Sequence, residues 1–223
     1  MPSEASSDAL SDALSDAAMS ALQERIVASL CATVGPLLRG RAAEELYALA
    51  LTTDSDVVTL RLVAHTEEAL AALLAHAGVG AADEGGDDDA DHYRWWPDEW
   101  AEVPGASDDF VTPEGGVEST GDLCDALYAA HASLGERDDE DEDDVLHDAW
   151  CARARAVLDG ALGDPRVRAA LAGINPAWRP VLFVTDTDGD MRETVHSIDT
   201  LNSVHPAPAP ALVASARSYF DQD

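Results

Sequence analysis

Two apolar runs, Leu46-Tyr-Ala-Leu-Ala-Leu51 and Val57-Val-Thr-Leu-Arg-Leu-Val63, are separated only by the polar stretch Thr52-Thr-Asp-Ser-Asp56. Short apolar segments bounded by turn residues read as β-strands, and two of them around a polar turn read as a hairpin. A second pair, Pro180-Val-Leu-Phe-Val-Thr185 and Met191-Arg-Glu-Thr-Val-His-Ser-Ile198, flanks Asp186-Thr-Asp-Gly-Asp190 and reads the same way. Two hairpins predict an antiparallel sheet of about four strands. Such a sheet must bury at least one face under helices.

Helices are supplied on both sides of each hairpin. Leu22, Ile26, Leu30 and Val34 share one face of a segment over 19–34 that Gly35-Pro36 ends. Thr66 caps a helix with Glu67 and Glu68 in its first turn, where acids suit the helix dipole, and Gly78 closes it. Further helices are predicted over 119–134 and 145–162, from Asp164-Pro165 to Gly173, and from Pro210 onward. The fold class is α+β. One domain spans 19–223, with acidic loops near 83–91 and 136–144, and residues 1–18, built on a Ser-Asp-Ala-Leu tetrad, form a frayed extension.

Charge narrows the function. The chain of 223 residues carries 44 acids against 13 basic residues, all of them Arg, for a net charge of −31. The absence of Lys excludes a P-loop lysine or a Schiff base. A field this negative repels phosphate backbones and anionic lipid, so neither nucleic acid nor membrane is an expected partner. Three readings of the acidity stay open: coding bias with solubility, adaptation to salt, and cover for a basic partner. Cys31, Cys124 and Cys151 are odd in number and form no Cys-x-x-Cys pair, which suits reduced thiols and a cytoplasmic protein.

The most distinctive segment is His92-Tyr-Arg-Trp-Trp-Pro-Asp-Glu-Trp100, with three of the five tryptophans. Arg94, Trp95, Trp96, Asp98, Glu99 and Trp100 are the candidate binding residues, because Trp and Arg dominate protein-binding hot spots. The competing reading puts Trp95 and Trp100 in the core and pairs Arg94 with Glu99 or another carboxylate. Together with Leu46-Tyr-Ala-Leu-Ala-Leu-Thr-Thr-Asp54, Thr66-Glu-Glu68, Val184-Thr-Asp186 and Ser197-Ile-Asp-Thr-Leu-Asn202, this segment resembles the uncharacterised bacterial domain of unknown function 4303 family over roughly 20–220. The resemblance implies a small α+β protein without an assigned activity. In general character such proteins are similar to the acidic immunity-type proteins of toxin systems, by analogy alone.

Catalytic and metal signatures are sparse. No Gly-x-Ser-x-Gly, His-Glu-x-x-His or dinucleotide loop is present. Asp186-Thr-Asp-Gly-Asp190 has its Gly and its twelfth residue wrong for an EF-hand and reads as a turn. His147 and Cys151 have helical zinc spacing, which only Cys124 or His131 would complete; a buried Cys beside a surface His is the simpler reading. No metal and no cofactor are therefore expected. The leading expectation is a non-catalytic protein that binds a basic protein, in the manner of an immunity-type inhibitor. The alternative is a small hydrolase or metal-dependent enzyme using carboxylates and His.

Overall fold

The computed structural model describes residues 15–79, 86–100, 106–108, 111–134, 140–187, 191–203 and 207–221. Its elements run α1 (Asp16–Leu37), β1 (Leu46–Thr53), β2 (Arg61–Thr66), α2 (Glu67–Ala77), α3 (Gly86–Trp95), α4 (Pro97–Trp100), α5 (Thr120–Ala132), α6 (Glu140–Leu162), α7 (Pro165–Ile174), β3 (Val181–Asp186), α8 (Met191–Leu201) and α9 (Pro210–Phe220).

The first hairpin forms, with β1 antiparallel to β2. Its second strand starts later than the apolar run does. Asp54 accepts from Val57 N–H through its backbone carbonyl and from Val58 N–H through its side chain. That local turn holds Val57 at φ 53° and withdraws Val57 and Val58 from the ladder.

The second hairpin does not form. Among the described residues the sheet has three strands in the order β2-β1-β3, and β3 runs parallel to β1. The partner expected for β3 is helix α8. Met191, Thr194, Val195, Ile198 and Leu201 recur every three or four residues, and Thr194, Ile198 and Leu201 are buried. The period is helical, which outweighs the β-branched content of the segment. Of the predicted turn 186–190, Asp186 ends β3, and residues 188–190 lie outside the described residues.

β1 is buried along its whole length because helices cover both faces. Leu49, Leu51, Leu62, Leu182 and Val184 pack with Ile26 and Leu30 of α1, Leu123 and Leu127 of α5, Trp150 and Leu158 of α6, and Leu171 of α7. On the opposite face Ala48, Ala50, Val63 and Phe183 meet Leu70, Trp95, Trp100, Ile198 and Phe220. The small side chains of β1 thus face the large aromatic rings.

Both sheet edges are covered, which removes a template for aggregation. Asn202 donates to Leu182 C=O and accepts from Leu182 N–H, and Ser197 Oγ accepts from Val184 N–H, along the outer edge of β3. Along β2, Ala64 N–H donates to Ala106 C=O, and Asp108 both donates to and accepts from Leu62.

Helix ends follow local chemistry. Thr66 caps α2, Asp164 caps α7, and Ser119 with Asp122 forms a capping box on α5. α1 begins at Asp16 behind the Ser15 cap, so the last tetrad of the repeat is helical rather than frayed; residues 1–14 lie outside the described residues. Two expected acidic loops are partly helical, since α3 starts at Gly86 and α6 at Glu140. Acids suit the positive end of a helix dipole, a preference that their sequence charge does not override.

Candidate functional site

The Trp segment is a helix break. α3 ends at Trp95, and Pro97 opens the single turn of α4. Trp95 and Trp100 are fully buried, on either side of the break. Trp95 Nε1–H donates to Ser215 Oγ (3.1 Å) and Trp100 Nε1–H to Tyr93 C=O (3.1 Å), so each indole has a partner. Tyr47 sits between them, with ring centroids 5.5 Å from Trp95 and 6.3 Å from Trp100. Its hydroxyl donates to Arg94 C=O at 2.8 Å, tying the segment to the sheet.

The segment's charges are largely engaged. Arg94 binds both oxygens of Glu67 (2.6 and 3.0 Å) and lies 4.9 Å from the Tyr47 ring centroid. Of the expected partners, Glu99 or another carboxylate, the partner is Glu67, because β2 delivers the first turn of α2 beside α3. Asp98 receives Arg61 Nη2 at 2.9 Å. Trp96 is half-buried and stacks on His92 at 6.2 Å, and His92 Nε2 lies 3.5 Å from Glu99. Of the six candidate residues, Trp96, Asp98 and Glu99 keep surface reach without a structural bidentate partner, whereas Trp95 and Trp100 are interior.

His65 supports this aromatic face from β2. It is 1% exposed and stacks on Trp100 at 5.0 Å and 17°. Tyr47 Oη lies 2.8 Å from its Nδ1; since the hydroxyl proton goes to Arg94 C=O, the ring donates from Nδ1 and leaves Nε2 a bare acceptor with no partner. Burial, reinforced by Arg41 and Arg94, pushes its pKa down to about 3.

A separate groove of about 380 Å³ lies between α6 and α8, beside the carboxyl end of β3. Asp148, Cys151, Arg155 and Asp159 line it from a helical stripe of α6, and Glu193 and His196 from one turn of α8. Arg155 pairs with the buried Asp186 at the end of β3. Asp159 accepts from Ser197 Oγ at 2.5 Å, and burial raises its pKa. Burial also drives the Cys151 thiol up to about 11, so it is no nucleophile at neutral pH. Reading Met191–Ile198 as a strand scattered Glu193 and His196 to opposite faces; helical periodicity is the signal that groups them. A second, more open groove of about 500 Å³ is lined by Thr52, Thr53, Arg61, Asp98, Cys124 and Thr187.

The sequence-level zinc spacing is partly realised. His147 lies against His131 and Cys151, while Cys124 is elsewhere, with its sulfur accepting from Leu60 N–H at 3.2 Å. Among the described residues no group of three or more His, Cys, Asp or Glu side chains is placed to hold a metal ion.

Most described arginines, several of them on the surface, are paired with carboxylates of the same chain. At least nine of the twelve described arginines form ion pairs with carboxylates of the same chain. Arg168 and Arg179 donate to backbone carbonyls instead. Neutralising all 13 one-to-one would still leave 44 − 13 = 31 carboxylates uncompensated. No described helix is long and apolar enough to cross a membrane.

Residues 26–114 match the sequence model of a family described as Domain of unknown function (DUF4303). The match runs from α1 through the hairpin and α2 to the residues beyond the Trp segment. β3 and α8, which carry the remaining motifs of the resemblance, lie outside it. No curated protein and no solved structure matches the chain.

Proposed function

We propose that this chain, whose residues 26–114 are of the DUF4303 family, is a non-catalytic protein that binds a basic protein, acting as an immunity-type inhibitor that covers a cationic surface. The observation that carries the reading is the pairing of at least nine described arginines with carboxylates of the same chain, which leaves the excess of 44 acids over 13 arginines uncompensated. Complementary potentials of this kind speed association and fix orientation more than they add affinity. Trp96, Asp98 and Glu99 form the contact patch, and Trp95, Trp100 and the Arg94–Glu67 pair hold it rigid. A rigid scaffold under a partly exposed aromatic limits the entropy lost on binding.

The test is capture from a lysate of the source cell in low salt, comparing the wild-type chain with a Trp96→Ala, Glu99→Gln variant. The expected result is one basic protein held by the wild type and lost from the variant. Equal capture by both removes the patch, and capture of nothing basic removes the function.

A second reading is favoured by the α6–α8 groove, where Asp159, Glu193 and His196 share one concavity. A carboxyl with a raised pKa beside an imidazole is a general acid–base arrangement, so a hydrolase of a small substrate is the alternative. It requires turnover that Asp159→Asn abolishes without unfolding the chain. A full substrate screen with no such turnover eliminates it.

A further inference from the structure

Arg168 of α7 and Arg179, in the segment that leads into β3, make no ion pair with a carboxylate among the described residues, in a chain with 44 acids among 223 residues. Both line one pocket of about 90 Å³, and no lining residue is Asp or Glu. Its walls are apolar, with Leu171 from α7, Trp178 and Pro180 from the connecting segment, and Leu182 from β3. In so acidic a chain, a pocket with two arginines and no acid is selective for negative charge.

Arg168 is the less satisfied of the two. Its Nη2 donates to Leu201 C=O at 2.5 Å, while its buried Nε–H has no partner. Burial lowers its pKa and no carboxylate counters that, whereas Arg94, also subject to burial, is raised by its bonds to Glu67. A desolvated cation without a counter-charge is costly, and an orphan buried donor calls for an explanation. Arg179 is exposed and engages only Nη1, which donates to Pro176 C=O at 2.7 Å and Trp178 C=O at 2.5 Å. The rest of its fork is free to bind.

The frame is set by the fold. Trp178 Nε1–H donates to Glu44 C=O at 2.8 Å, and Asn175 Nδ2 donates to Ala42 C=O at 2.9 Å, so the segment is pinned to the residues ahead of β1. Pro176 and Pro180 fix two of its φ angles. Walls held in place beforehand reduce the entropy lost when a ligand enters.

We infer that this pocket binds a short-chain aliphatic monocarboxylate, with its carboxylate on Arg168 and Arg179 and its chain against Leu171, Trp178 and Leu182. Planar guanidinium forks match a carboxylate in bidentate geometry. Size sets the chain length: a cavity of about 150 Å³ holds the six carbons of benzene, so about 90 Å³ holds roughly four heavy atoms. The chain's net negative charge opposes an acid, but physiological salt screens it beyond about 8 Å, and the only charges in the lining are positive. This inference is independent of the basic-partner reading and of the α6–α8 groove.

The experiment titrates the full ¹⁵N-labelled chain with butyrate in about 150 mM salt and follows its amide and indole N–H signals, with 1-butanol and inorganic phosphate run in parallel. Butyrate is expected to shift the Trp178 indole and the amides of 168–182 as one saturable site, at least about tenfold more tightly than butanol, which lacks the charge, or phosphate, which lacks the apolar chain. Arg179→Gln, at an exposed side chain, should weaken butyrate about tenfold. Ala172→Phe fills the pocket from the exposed side of α7, leaves both arginines in place and should abolish binding. Arg168→Gln should abolish it too; that variant also loses the bond to Leu201 C=O, so its fold is checked by circular dichroism and the other two variants decide. Three results overturn the proposal: no shift at these residues by about 50 mM butyrate, equal binding of butanol, or butyrate binding that survives both Arg179→Gln and Ala172→Phe and is thus an adventitious ion only.

Discussion

His65 makes the fold acid-sensitive in a way that one substitution isolates. The unfolded chain takes up a proton on this residue near pH 6.5, whereas the folded chain resists until about pH 3. Between those values the unfolded state holds the extra proton, so stability falls as the pH falls. The slope is about 1.4 kcal/mol for each pH unit below 6.5, so His65 alone removes about 2 kcal/mol by pH 5. His65→Phe keeps a flat ring against Trp100, deletes the partnerless Nε2 and leaves Tyr47 its bond to Arg94 C=O. Asp159, whose raised pKa acts with the opposite sign, is present in both proteins and cancels, as does relief of the chain's self-repulsion. Urea unfolding of both proteins at pH 7 and pH 5 should show the stability gap moving about 2 kcal/mol in favour of the variant. A gap that stays constant across that range refutes the buried neutral imidazole.

Three further outcomes follow from the same contacts, each read by chemical denaturation. Arg155→Met strips the guanidinium from a carboxylate, Asp186, that is 2% exposed, and should cost about 3 kcal/mol. Asn202→Leu leaves the Leu182 N–H and C=O on the covered edge of β3 without partners, for a loss of about 2 kcal/mol. Ser119→Ala removes one half of the α5 capping box and should cost about 1 kcal/mol, with circular dichroism showing loss confined to a turn of helix.

Elements with strong local chemistry were legible in the sequence. The first hairpin needed only two apolar runs and a turn, and Thr66, Gly78 and Asp164-Pro165 marked helix ends where they occur. The parallel pairing of β3 was not legible, because no local feature says which edge of β1 a strand joins more than 120 residues later. Met191–Ile198 was misread as a strand because Thr194, Val195 and Ile198 favour strands while their spacing fits a helix. In the Trp segment the sequence reading held both interior and surface roles open. Its resolution depended on Tyr47 and Glu67, which lie far away in the chain and close in space.

The ionic-strength dependence of association with the captured basic partner tests the central claim most directly. A protein that works through an uncompensated carboxylate field should lose at least about tenfold in association rate between roughly 20 mM and 500 mM salt, with dissociation changed far less. An association rate that stays flat across that range would mean that the −31 charge plays no part in recognition.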